Sequence, residues 1–82
     1  MKNMLEVNVT LPNINRRLKK EFPIEKPVMY KGRGYFYFIC ENEQYEVPSL
    51  YVWALRDFNS ITEIVDYVRN NMYHRDNHFD IR

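Results

Sequence analysis

The chain's only two glycines flank a single arginine in Lys31-Gly32-Arg33-Gly34 and lead straight into Tyr35-Phe36-Tyr37-Phe38-Ile39-Cys40. Glycine accepts the positive φ of a tight turn without steric cost, and aromatic side chains favour pleated, half-buried strands. Together they predict a hairpin in the middle of the chain. Pro27 leads into its first strand at residues 28–30, and residues 41–44 (Glu-Asn-Glu-Gln) read as a polar turn. Residues 45–55 read as a further strand, in which Pro48 cannot donate to a ladder, so this strand lies at an edge or bulges near its middle. The expected sheet is an antiparallel meander over residues 28–55.

Two helices are expected beside it. Leu11, Ile14, Leu18 and Phe22 follow one another at three, four and four residues, the stripe of a helix over residues 13–22. Asn13 is its expected cap and Pro23 its stop. Ser60 and Glu63 have the spacing of a capping box, and Ile61, Ile64, Val65, Val68 and Met72 continue as a stripe over residues 60–73. Near the N-terminus, Leu5, Val7, Val9 and Leu11 alternate with Glu6, Asn8 and Thr10, which predicts a strand at residues 4–10. The fold class is therefore α+β: a single domain over residues 1–82, with three or four antiparallel strands packed by two helices.

At 82 residues the chain buries only about 60% of its unfolded surface, so large side chains must make a dense core. The lone Cys40 cannot form an internal disulfide, and it is expected to be a buried structural thiol. With no leader pattern and no apolar run near the roughly 20 residues of a membrane span, the reading is a cytoplasmic chain. The net charge is +1 but unevenly spread. Residues 1–34 hold eight Lys and Arg against three Glu, and residues 35–82 hold four Arg against eight acids. Such asymmetry orients a charged partner only if folding keeps the halves apart.

Side chains alternate across a strand. Phe36, Phe38 and Cys40 make one face of the central strand, and Tyr35, Tyr37 and Ile39 the other. In the next strand Leu50, Val52 and Ala54 oppose Ser49, Tyr51, Trp53 and Leu55. The apolar sets suit a core beneath the helices. Tyr35, Tyr37, Tyr51 and Trp53, with Tyr45 as a further candidate, are left on a second face whose apolar bodies and polar tips suit a contact surface. The competing reading buries that face under a helix or a second copy.

Chemical motifs are sparse. Lys31, Gly32, Gly34, Tyr35 and Phe38 follow part of the RNA-recognition pattern K/R-G-F/Y-G/A-F-V-x-F/Y, but Arg33 stands where an aromatic should stack on a base. A broader nucleic-acid surface would join Lys31 and Arg33 to the cluster Arg16, Arg17, Lys19 and Lys20, which otherwise reads as a solvated helix face. His74 and His78, near Asp76 and Asp80, would share a face on a helix continuing past Met72, though no third metal ligand is evident. No phosphate loop, nucleophile elbow or paired acids on a recognisable scaffold occur, and the reading is of a non-enzyme without cofactor or metal.

The segments INRRLKKEFP, KGRGYFYF and SLYVWALRDFNSITEIVDYVRN together resemble small uncharacterised proteins of phages, plasmids and other mobile elements. Those carry a short N-terminal helix, an RGxGYxYF-like hairpin, an S-x-Y-V-x-x-L strand and a C-terminal helix. The matching positions are Gly32, Gly34, Tyr35, Tyr37, Phe38, Ser49, Tyr51, Val52 and Leu55. The chain departs at Ile61-Thr62-Glu63-Ile64, where the pattern carries a Leu-Glu-x-Trp-like start. The resemblance implies an accessory protein that binds and inhibits a host complex, such as a CRISPR or other defence system, in the host cytoplasm. It assigns no site. The residues themselves place the expected partner contact at Arg33, Tyr35, Tyr37, Tyr51 and Trp53. The alternatives are a nucleic-acid-binding regulator using the same face, and a homodimer.

Overall fold

The computed structural model describes residues 8–75. Its centre is the expected hairpin. Strand β1 (Pro27–Lys31) pairs antiparallel with β2 (Phe36–Cys40), with Val28 opposite Ile39 and Tyr30 opposite Tyr37. The turn closes where the Gly32 N–H donates to the Tyr35 carbonyl at 2.8 Å, and Gly34 takes φ +81°. At the open end the Glu41 N–H donates to the carbonyl of Lys26, which itself has φ 56°.

The meander stops there. One antiparallel bridge joins Phe36 to Leu50 through two 2.8 Å hydrogen bonds. Two residues further along, the register of that bridge would set Phe38 against Pro48, which has no N–H to offer, and the ladder does not continue. The Pro48 carbonyl is taken as well, accepting from the Tyr67 hydroxyl at 3.0 Å. The strand expected over residues 45–55 is therefore broken at its middle. Its first part, β3 (Tyr45–Glu46), makes a separate two-stranded sheet with β4 (Tyr73–His74), and its end winds into a 3-10 turn at Leu55–Asp57. The small α+β fold thus holds two helices and two antiparallel sheets of two strands.

The helices differ from expectation at their ends. Helix α1 (Leu11–Glu21) starts earlier than residue 13, because Thr10 Oγ1 accepts from the Asn13 N–H at 3.3 Å and takes the capping role. Pro12 falls in the first turn, where backbone N–H groups have no intrahelical acceptor anyway. Helix α2 (Ile61–Asn71) follows Ser60, whose side chain makes no capping bond. Glu63 instead accepts from Asn59, one residue upstream, at both the backbone N–H (3.1 Å) and Nδ2 (3.2 Å). Asn59 offers two donors, one to each carboxylate oxygen, so it takes the place expected for Ser60. Of the strand expected at residues 4–10, residues 8–10 are irregular, with the Asn8 carbonyl accepting from Thr10 N–H and Asn13 Nδ2. Residues 4–7 lie outside the described residues.

Both helices pack on the same side of the hairpin. Ile14, Leu18 and Phe22 of α1 and its end, and Ile61, Ile64, Val65 and Val68 of α2, enclose Met29, Phe36, Phe38 and Cys40 with Val47. Tyr67 stacks on Phe38 at 6.0 Å between ring centroids. Arg69 ties the helices together, bonded to Glu21 at 3.1 Å and lying over the Phe22 ring. The Arg17 and Arg69 guanidiniums hold the Glu21 carboxyl below its usual range, with the Arg17 hydrogen bond the larger cause.

A candidate partner-binding face

With both helices on one side, the opposite side of the hairpin has no described element over it. Tyr51 is 81% exposed, Trp53 75%, Ile39 53% and Tyr30 40%. Tyr35 and Tyr37 are half-buried, largely by one another and by their neighbours. Ring centroids run Tyr30 to Tyr37 at 5.4 Å, Tyr37 to Tyr35 at 5.9 Å and Tyr35 to Tyr51 at 6.0 Å. Four rings from three segments form one continuous band.

The glycines seat this band as well as making the turn. A Cβ built on Gly32 would run into the Tyr35 ring, and one built on Gly34 would stand 3.1 Å from the Trp53 ring. Each ring lies against bare backbone. Trp53 is thereby placed next to the hairpin although it belongs to no strand.

The expected contact residues thus come together: Tyr35, Tyr37, Tyr51 and Trp53 share the face, with exposed Arg33 at the hairpin tip. Tyr30 and Ile39 also belong to it. Sequence reasoning missed Tyr30, although pairing β1 with β2 in register across the glycine turn was enough to find it. Tyr45 does not belong. It is half-buried in β3, packs against the core and meets His74 edge-on at 5.1 Å.

The cations lie elsewhere. Arg16 and Lys20 follow buried Ile14 and Leu18 by two residues, roughly 200° around the helix, so they point away from the sheet. Arg16 donates to Asn13 Oδ1 at 2.7 Å, and Arg17 is paired with Glu21 at 2.9 Å. Arg16, Arg17 and Lys20 line an open groove between α1 and the start of α2, and Lys19 is exposed beside them. Lys31 alternates onto the core side, where its Nζ sits 5.1 Å over the Phe36 ring. The fold separates the basic cluster from the aromatic band. Of the cations considered, only Arg33 adjoins the rings.

The remaining candidates take structural places. Cys40 is buried, and its thiol is pushed up to about 11, by burial first and then by the charges of Glu25 and Glu46. It stays protonated at neutral pH, which is the wrong state for a nucleophile. His74 is not on a helix: α2 ends at Asn71, Met72 turns extended, and strand pairing with Tyr45 claims His74. Asp76, His78 and Asp80 lie outside the described residues. Among the described residues no group of three or more His, Cys, Asp and Glu is placed to hold a metal, and no helix is long and apolar enough to cross a membrane.

Comparison with family models, curated proteins and solved structures finds no match.

Proposed function

We propose that this chain is a non-enzymatic recognition module that binds a protein through the outer face of its hairpin. Tyr51 and Trp53 serve as anchors, Tyr30, Tyr35 and Tyr37 as their support, and Arg33 as the charged contact at the rim. The observation that carries the reading is the aromatic band, which no described element covers. Large rings held in place on one side of a small domain are costly to leave in water, and patches of this kind mark contact sites. The resemblance to small mobile-element proteins extends the proposal to its setting, an accessory protein that blocks a host complex. A nucleic-acid role draws less support, since stacking platforms for single strands combine rings with a cationic track and here the two are apart.

The test is co-purification from a bacterial host at low and high salt, with wild type and a Tyr51→Ala/Trp53→Ala double variant side by side. The wild type is expected to retain a protein partner at both salt concentrations and the variant to lose it. Retention by the variant sinks the proposed surface. Material that nuclease or high salt removes from both proteins moves the role to nucleic acid through the α1 cluster.

A further inference from the structure

We infer that the open groove between α1 and the start of α2 binds a small molecule carrying two or more phosphate groups, with Arg16 and Lys20 as its cationic wall. The site is separate from the aromatic band and stands or falls independently of it.

Arg16 and Lys20 are four residues apart on α1, so they share one face of the helix, about 6 Å apart along its axis. Both are exposed. Arg16 gives one N–H to the neutral amide oxygen of Asn13, and Lys20 has no ion-pair or hydrogen-bond partner among the described residues. Both charges are therefore left for a ligand. Arg17 lines the groove as well, but it is already paired with Glu21 at 2.9 Å.

The rest of the lining has the same donor character. Among the described residues no carboxylate lines the groove. The nearby acids are engaged elsewhere: Glu21 is shared by Arg17 and Arg69, and Glu63 takes both donors of Asn59. Ser60 and Thr62 also line the groove, and their hydroxyls have no hydrogen-bond partner among the described residues. Two unneutralised cations beside two spare hydroxyls suit a ligand dense in acceptor oxygens. A phosphate group brings three such oxygens and a charge of roughly −1.5 to −2, against two oxygens and a single charge for a carboxylate. The guanidinium fork also meets it bidentately.

Size and charge favour a small ligand over a nucleic acid. The groove holds about 770 Å³, within the roughly 300–1,000 Å³ of small-molecule clefts. A nucleic-acid strand wants a cationic track and rings for its bases. Here the two unneutralised cations sit within about one helical turn, no aromatic residue lines the groove, and the whole chain has a net charge of only +1.

The experiment titrates the full chain with tripolyphosphate by calorimetry at low salt, and separately with citrate, a polyanion whose charges are all carboxylates. Saturable binding of one tripolyphosphate per chain is expected, with citrate at least about tenfold weaker. Arg16→Ala/Lys20→Ala is expected to weaken tripolyphosphate about tenfold or more. Both side chains lie outside the core, so that variant keeps the fold, which circular dichroism verifies. Lys19→Ala removes a charge from the same helix without touching the groove and is expected to leave binding nearly unchanged. Absence of saturable binding overturns the inference, as does equal binding of citrate. An equal loss in Lys19→Ala overturns it too, since the attraction is then one of general charge. A short DNA duplex that binds more tightly than tripolyphosphate, and is lost in the double variant, also overturns it and makes the groove a nucleic-acid contact.

Discussion

The ring of Trp53 lies on Gly34, so close that a Cβ at that glycine would come within 3.1 Å of it. The same glycine holds φ +81°, a conformation that L side chains adopt only at a cost. One residue therefore serves both the turn and the seat of the indole. Gly34→Ala is expected to lose roughly 1–2 kcal/mol from backbone strain and to change the emission of Trp53 in the folded state. Urea titration followed by circular dichroism and by fluorescence reads the two effects separately. An unchanged emission spectrum would break the link between the turn and the ring.

Asn15 acts as a substitute strand for Met29. Asn15→Ala removes both edge hydrogen bonds and leaves the Met29 N–H and carbonyl open, for an expected loss of roughly 1–3 kcal/mol. Beyond lower stability, the variant should self-associate as concentration rises, because a freed edge recruits other strands. Sedimentation velocity over a concentration series checks this.

Tyr67→Phe tests why the third strand fails. Its hydroxyl donates to the Pro48 carbonyl at 3.0 Å and stands 3.1 Å from that of Ser49, one hydrogen serving both. Burial raises the phenol's pKa above its ordinary value, consistent with a hydroxyl that stays protonated and donates. Its loss is expected to cost roughly 0.5–1.5 kcal/mol and to speed amide exchange at Leu50, where the single bridge to Phe36 depends on the same loop. Unaltered exchange at Leu50 would mean that the bridge stands without it.

Cys40 gives a pH signature. Its pKa rises from 9.0 to about 11 on folding, so the neutral thiol is favoured in the folded chain. The associated stability is fully present below pH 9 and is lost as the pH climbs towards 11. Cys40→Ala should flatten that part of the stability profile relative to wild type, and iodoacetamide should modify the folded protein only slowly at neutral pH. Rapid alkylation would place the thiol outside the core.

How much of this was legible depended on how far each signal reaches along the chain. The glycine turn, the alternation in residues 36–40 and the stripe Ile61–Ile64–Val65–Val68 are written within a few neighbouring residues, and they formed as read. The alternation also separated the core face from the aromatic one and found Tyr35, Tyr37, Tyr51 and Trp53, while Tyr30 joined the band through the pairing of β1 with β2. What could not be read depended on distant partners. Asn15 meets Met29 across 14 positions and Tyr67 meets Pro48 across 19. Pro48 was recognisable as a constraint on its strand, yet only the pairing of Phe36 with Leu50 sets it against Phe38, where it breaks the ladder. The caps moved for a local reason: Thr10 accepts from the Asn13 N–H and so starts α1 before Asn13, and Asn59 reaches the Glu63 carboxylate that was expected to pair with Ser60. The glycines were read for φ alone, and their second use, as bare backbone under Tyr35 and Trp53, needs the third dimension.

The central claim is that the aromatic band, which no described element covers, is open to a partner. Acrylamide quenching of Trp53, measured over a wide range of protein concentration alongside sedimentation, tests this most directly. The expected result is emission like that of indole in water, quenched nearly as readily as a free tryptophan derivative at every concentration, from a sedimenting monomer. Blue-shifted emission that resists the quencher, whether in a monomer or growing with a dimer, would contradict the account.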